Sequence, residues 1–324
     1  MNKIDTGSES YQIIKFDSFE EFYCFFISFH KSGIYIRNYI FRGTSKCDYS
    51  LLPRIMRNEV FEKHVKLYPF DALTKNTVFE HMCIELYLLY KFYLIANRNS
   101  LIDFNVDDFN VYDKFKSIRQ LVNDTNQNKN IIWIPNKYYQ IASLAQHYSI
   151  PTRLLDWTRD INIAIYFALR NSIDKIKNCT NEDFAVVWML NTIFFTSNYR
   201  PDINIKIIEP SYLSNSYIKA QKGLFTLDEL NVAKEHIHNK HISMPLEDKI
   251  IEIDINKYGF QYPLLYKLCI PYRDVNQGLF FLYNKGYDNM AIYPSLNEVA
   301  NTIYDENMII NSMDNAEVMK KLFY

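Results

Sequence analysis

Glycine is scarce in this chain: seven in 324 residues, about a third of the ~7% usual for soluble proteins. They are Gly7, Gly33, Gly43, Gly223, Gly259, Gly278 and Gly286, and none fall at GxGxxG or GxxxxGK spacing. The two commonest glycine-rich phosphate cradles are therefore excluded, and a nucleotide here would have to be held by side chains. Cysteine is sparse as well. Cys24, Cys47, Cys83, Cys179 and Cys269 form no CxxC pair and are odd in number, which argues against a disulfide framework and a zinc ribbon. Charge of one sign is missing, since the net charge is −1, so no global field draws in nucleic acid or an anionic membrane. Long apolar runs are missing too. The richest, Glu85 to Arg98, is interrupted by Lys91 and is too short to span a bilayer. The opening residues carry no apolar signal region, and the expectation is a cytoplasmic protein with no membrane partner.

Apolar and aromatic residues are plentiful, at 48% and 16%, enough to bury a large core. Residues 18–32 read as a helix capped by Ser18, with Glu20 and Glu21 in its first turn. The stretch NYIFRGTS reads as a buried strand leaving into a turn at Gly43. Between about 58 and 130 the pattern is largely helical, ending in the turn-rich loop 122–130. Residues 138–173 read as a helix to His147, a turn at Ile150-Pro151, a strand through TRLLDWT and a buried helix capped by Thr158 or Asp160. FAVVWMLNT reads as a fully buried strand and GLFTL as another, while GLFFLY fits strand and helix equally. The expected organisation is α+β, one domain over 1–324 with a largely helical insertion at about 58–130.

Three short stretches carry chemistry. In FRGT, Arg42 offers a planar fork suited to phosphate or carboxylate. Phe41 anchors the strand end, Gly43 permits close approach of a ligand or backbone, and Thr44 adds a hydroxyl. The other reading of this stretch is an internal ion pair between Arg42 and Asp156. In DWT, Asp156, Trp157 and Thr158 stand before a helix start, where a flat ligand could stack on Trp157 and a sugar hydroxyl meet Thr158 or Asp156. Helix capping by Asp156 and Thr158, with Trp157 in the core, is the alternative. Gln221 stands two residues before Gly223 at a strand entrance. His147 could serve as acid or base, or be a satisfied core residue. His236, His238 and His241 share no helix face and have no acidic partner close in sequence, so no metal is expected. No GxSxG or HExxH occurs.

Taken together and in order, IFRGTS…LLPRIMR, LAQHYSIPTRLLDWTRDINIAIYFAL, YIKAQKGLFTL and GYDNMAIYPSLNEVANTI resemble the FRG-domain family. The resemblance runs discontinuously from about Tyr39 to Ile303. FRG domains look related to the ADP-ribosyltransferase fold, so it implies a split-sheet core with NAD, a substrate, in a cleft between two small sheets. It also implies Arg42 as the NAD-gripping residue, Thr158 near the second-motif Ser/Thr and Trp157 beside the cofactor. Gln221 falls where active transferases carry Glu. A Glu there would hold the ribose 2′-hydroxyl and stabilise positive charge on the ribose, which a glutamine amide does without negative charge. Asp156 is the first candidate to supply that charge, before Asp228 and Glu229. The implied function is an NAD-dependent ADP-ribosyltransferase with a macromolecular acceptor, an RNA or DNA base ahead of a protein. It would be a toxin of an anti-phage or toxin–antitoxin system, with an antitoxin protein as partner. A non-catalytic nucleotide sensor and an NAD glycohydrolase are the alternatives.

Overall fold

The computed structural model describes residues 2–4, 6–31, 35–67, 76–106, 130–173, 180, 183–196, 204–212 and 215–311. Its centre is a mixed eight-stranded sheet in the order β1-β2-β10-β6-β3-β5-β8-β7. The strands are β1 Asn2–Ile4, β2 Tyr11–Lys15, β3 Tyr39–Thr44, β5 Leu154–Thr158, β6 Phe184–Asn191, β7 Ile205–Ile208, β8 Gly223–Asp228 and β10 Leu265–Pro271. β2 and β10 run parallel, and the other pairs are antiparallel. A separate ribbon pairs β4 Ile131–Trp133 with β9 Leu230–Val232.

The sheet is one hydrogen-bonded order rather than the two small sheets expected, yet it nearly divides at one place. β3 aligns with β6 from Tyr39 to Thr44 but meets β5 through a single pair, Phe41 opposite Thr158. Beyond that pair Arg42 and Gly43 lie on one lip of a gap, with Asp156 and Leu155 on the other. On the far side of the gap β5, β8 and β7 pair along their lengths.

Helices cover both faces. On one face α1 Phe19–Lys31, α5 Ile161–Arg170 and α8 Val275–Asn284 pack over Phe41, Val187, Met189 and Leu268. Ser18 Oγ accepts from Glu21 N at 3.1 Å and so caps α1. Asp160, rather than Thr158, caps α5 by accepting from Asn162 N at 2.9 Å. GLFFLY lies within α8, which settles its reading as helix. On the opposite face α7 Leu246–Ile251 covers Ile40, Leu155, Trp157 and Trp188. A second helical layer is built by α2 Asn58–Leu67, α3 Val78–Arg98 and α4 Tyr139–His147. Thr77 and Glu80 close a capping box at the head of α3. α2 and α3 fall within the expected insertion at about 58–130, whose residues 68–75 and 107–129 lie outside those described; the expected loop 122–130 is among these except Asn130. The short α6 Ser216–Ala220 delivers the chain to β8, and α9 Val299–Asn311 packs by Arg170.

β6 is buried at every position, as its apolar run over residues 184–190 requires of a strand covered on both faces. Gly43 lies within β3 and does not turn the chain. A Cβ there would fall 2.0 Å from the Ala164 carbonyl oxygen and 2.6 Å from the Ala168 amide nitrogen. The close approach that glycine permits is therefore made by the backbone of α5.

Candidate functional site

The gap between β3 and β5 opens into a cleft of about 390 Å³, within the size range of small-molecule sites. Five separated segments line it: Phe41, Arg42 and Gly43 from β3, Arg54 and Arg57 from the turn that follows, Gln146 and His147 from α4, Leu154 to Thr158 from β5, and Gln221 at the end of α6. Ser149, Ile150, Phe167, Asn171 and Tyr293 complete the wall. Among the lining residues Asp156 is the one carboxylate, against three arginines.

Arg42 reaches across the gap. Its Nη1 donates to the Asp156 backbone carbonyl at 2.7 Å and stands 3.4 Å from the Asp156 carboxylate. The internal ion pair that one reading of FRGT anticipates is thus present, but it lies open to solvent inside the cleft, with side-chain exposures of 21% and 53%. Gln146 holds the same carboxylate oxygen from the other side, donating from Nε2 at 2.8 Å. Thr152 fixes that amide by donating to Gln146 Oε1 at 2.8 Å. Asp156 is therefore aimed by an arginine, a glutamine and, one step further, a threonine.

Strand alternation decides the rest of DWT. Successive side chains on a strand point to opposite faces, so Leu154, Asp156 and Thr158 share one face and Leu155 and Trp157 the other. Trp157 is 3% exposed, packs with Ile40 and Trp188, and donates its indole N–H to Thr226 at 2.9 Å. The ring expected to stack on a ligand is thus committed to the core. Thr158 lines the cleft, but its hydroxyl donates to the Gln221 carbonyl at 2.7 Å and accepts from Asp160 N. That bond ties β5 to the end of α6 and sets Gln221 beside Thr158. Phe41 is fully buried at the cleft base. Thr44 lies beyond the cleft lining, its hydroxyl buried and without a hydrogen-bond partner, so it adds no donor there.

His147 stacks on Tyr217, with ring centroids 5.8 Å apart. Burial pushes its imidazole below the usual histidine range while Asp156 pulls the other way. Tyr293 sits against Phe167 and Tyr217, and burial, with the charges of Glu298 and Asp156, pushes its phenol up. Both rings offer flat, half-buried surface on the wall of the cleft.

Of the residues singled out in the sequence, Phe41, Arg42, Gly43, His147, Asp156, Trp157, Thr158 and Gln221 converge on this cleft, and Thr44 does not. Arg54, Arg57, Gln146 and Tyr293 were missed, although each lies inside one of the segments that carry the resemblance. Asp228 and Glu229, the other carboxylates considered, lie elsewhere, paired to Lys249 and Lys206 at 2.5 Å each. Among the described residues no cluster of histidine, cysteine and acidic side chains could hold a metal ion, and no helix is long and apolar enough to cross a membrane.

Residues 37–177 match the family model of the FRG domain. They hold β3, the arginine turn, α4, β5 and α5, and so most of the cleft lining. An uncharacterized protein, R392, of Acanthamoeba polyphaga mimivirus is 34% identical over 119 residues, covering 35% of this chain and 28% of that protein. The chain thus spans under a third of the length of the curated relative it matches. No solved structure matches the chain.

Proposed function

We propose that the cleft between β3 and β5 binds NAD and that the protein is an NAD-dependent ADP-ribosyltransferase acting on a macromolecular acceptor. The observation that carries the reading is convergence. Arg42, Asp156, Thr158 and Gln221, far apart in sequence, line one cleft at the place where the sheet almost divides. The excess of arginine over carboxylate suits the diphosphate of a dinucleotide, and the wall of His147, Phe167 and Tyr293 suits a flat ring.

In the proposed reaction the bond from ribose to nicotinamide breaks and its electron pair leaves with nicotinamide. An acceptor oxygen or nitrogen then bonds to the ribose carbon and releases its proton to water. Positive charge develops on the ribose meanwhile, and Asp156 is the carboxylate in the cleft that can oppose it. Gln221, which lines the same cleft, would hydrogen-bond a ribose hydroxyl. An RNA or DNA base is the favoured acceptor ahead of a protein side chain. The cellular role proposed is that of a toxin in an anti-phage or toxin–antitoxin system, restrained by an antitoxin protein.

One feature favours a second reading, a nucleotide sensor without catalysis: the Asp156 carboxylate is already engaged by Arg42 and Gln146, and Gln221 is uncharged. Labelled NAD incubated with cell lysate separates the two. A transferase leaves label on RNA, DNA or protein, identified by nuclease and protease digestion, and the Arg42→Ala protein does not. A glycohydrolase gives free ADP-ribose alone. A sensor retains bound NAD or ADP-ribose with no product.

A further inference from the structure

The sequence LLPRIMR places Arg54 and Arg57 three residues apart around a 3₁₀ turn, Arg54–Met56. Arg57 is the extended residue that ends the turn. Ile55 and Met56, 0% and 3% exposed, anchor the turn in the core, and both arginines line the cleft. Arg54 Nη1 donates to the Ser149 carbonyl at 3.0 Å, and Arg57 Nε and Nη2 donate to the Leu52 carbonyl at 3.3 Å. These carbonyls orient the guanidinium forks without neutralising them. Neither arginine forms an ion pair with a described residue, in contrast to Arg42, Arg153, Arg159 and Arg170.

The cleft therefore divides its cations by role. Arg42 is paired with Asp156, while Arg54 and Arg57 form no ion pair with a described residue and Glu59 acts on Arg57 only through space. Arg57 is half-buried, and burial together with the charge of Arg42 pushes its guanidinium below its ordinary range. Two guanidinium groups that line one cleft without an ion-pair partner among the described residues, Arg57 half-buried and Arg54 exposed, favour an anion of charge near −2.

We infer that Arg54 and Arg57, and not Arg42, form the principal seat for the diphosphate of the ligand, with Arg42 positioning Asp156. This deepens the NAD reading, on which it rests for the identity of the nucleotide, but the seat itself is a claim about diphosphate. Inorganic pyrophosphate is therefore the first probe, titrated calorimetrically into the full chain and into Arg54→Gln and Arg57→Gln proteins, each checked for an unchanged melting temperature. A saturable pyrophosphate site weakened about tenfold or more by either substitution is expected, with a smaller loss for Arg42→Gln. ADP-ribose should follow the same order, and Arg54→Lys with Arg57→Lys should recover part of the affinity. The inference is overturned by absence of saturable pyrophosphate binding, or by a larger loss from Arg42→Gln than from either other variant. Dependence on Arg54 and Arg57 seen only with a single-stranded oligonucleotide would also overturn it, marking a phosphodiester track instead. Because pyrophosphate has no glycosidic bond, a seat that binds it in a protein that never releases nicotinamide refutes the transferase reading alone.

Discussion

Two arginine–carboxylate pairs in this molecule have the same chemistry and opposite settings. Arg153 and Glu85 are 1% and 2% exposed and joined twice, Nη2 to Oε1 at 2.5 Å and Nε to Oε2 at 2.7 Å. Trp133 donates its indole N–H to Glu85 at 2.9 Å, and Arg153 Nη1 bonds the Asp228 carbonyl at 3.0 Å. Every strong group there is answered from within the fold, which pins α3 to β5. Arg42 and Asp156 share one carboxylate contact at 3.4 Å, in water, at the mouth of a gap in the sheet. The first pair is closed and can act only on stability. The second keeps unused donor and acceptor capacity facing a cavity, which is how a site able to take a ligand differs from a strut.

Substitution should separate the two. Glu85→Ala leaves the Arg153 charge buried and unmatched, and a loss of about 3–5 kcal/mol is expected in denaturant unfolding. A loss below about 1 kcal/mol would show that this pair is no more structural than the other.

Acid should act on the same closed region. His81 and His241 stack with ring centroids 4.0 Å apart, and Phe61 stacks on His81 at 3.7 Å. Burial foremost, with the charge of Arg153 contributing, pushes His81 down to about 2 and His241 down to about 4. The unfolded chain takes up these protons near pH 6.5 and the folded chain only well below, so stability is full above about pH 6.5 and falls as pH drops toward 4. By pH 5 each histidine should cost on the order of 2 kcal/mol. His241→Gln should flatten the dependence of melting temperature on pH between 6.5 and 4.5. An unchanged slope would remove His241 from the account.

The smallest stability effect belongs to the cleft. Arg42→Gln should alter unfolding free energy by less than about 1 kcal/mol, as for exposed pairs generally. A loss as large as that of Glu85→Ala would make the cleft pair a strut after all.

Much of this was legible in the residues themselves. The cap at Ser18, the all-apolar run of β6 and the helix–strand–helix order through 138–173 follow from local pattern and are present in the fold. Long-range partners were not legible. Gly43 shows that something comes close, but only the fold reveals it to be the backbone of α5. Alternation sets the Trp157 and Asp156 side chains on opposite faces of β5, which favours the core reading of the Trp157 ring once Asp156 is given the cleft. Arg54 and Arg57 gain meaning only once the turn between them is known to be 3₁₀ and its two apolar residues buried. β2 and β7 are short, and β10 is interrupted by Lys267; none carried a distinct expectation, and each is set in place by its sheet neighbours.

The central claim is that the cleft breaks the nicotinamide–ribose bond with Asp156 as its charge. The most direct measurement is nicotinamide release from NAD by the purified protein, alone and with total RNA or cell lysate, beside a folded Asp156→Asn variant. The account predicts release that needs an acceptor and falls about 10²–10³-fold in the variant. Equal release by both proteins, or none in any mixture while NAD remains bound, would contradict it.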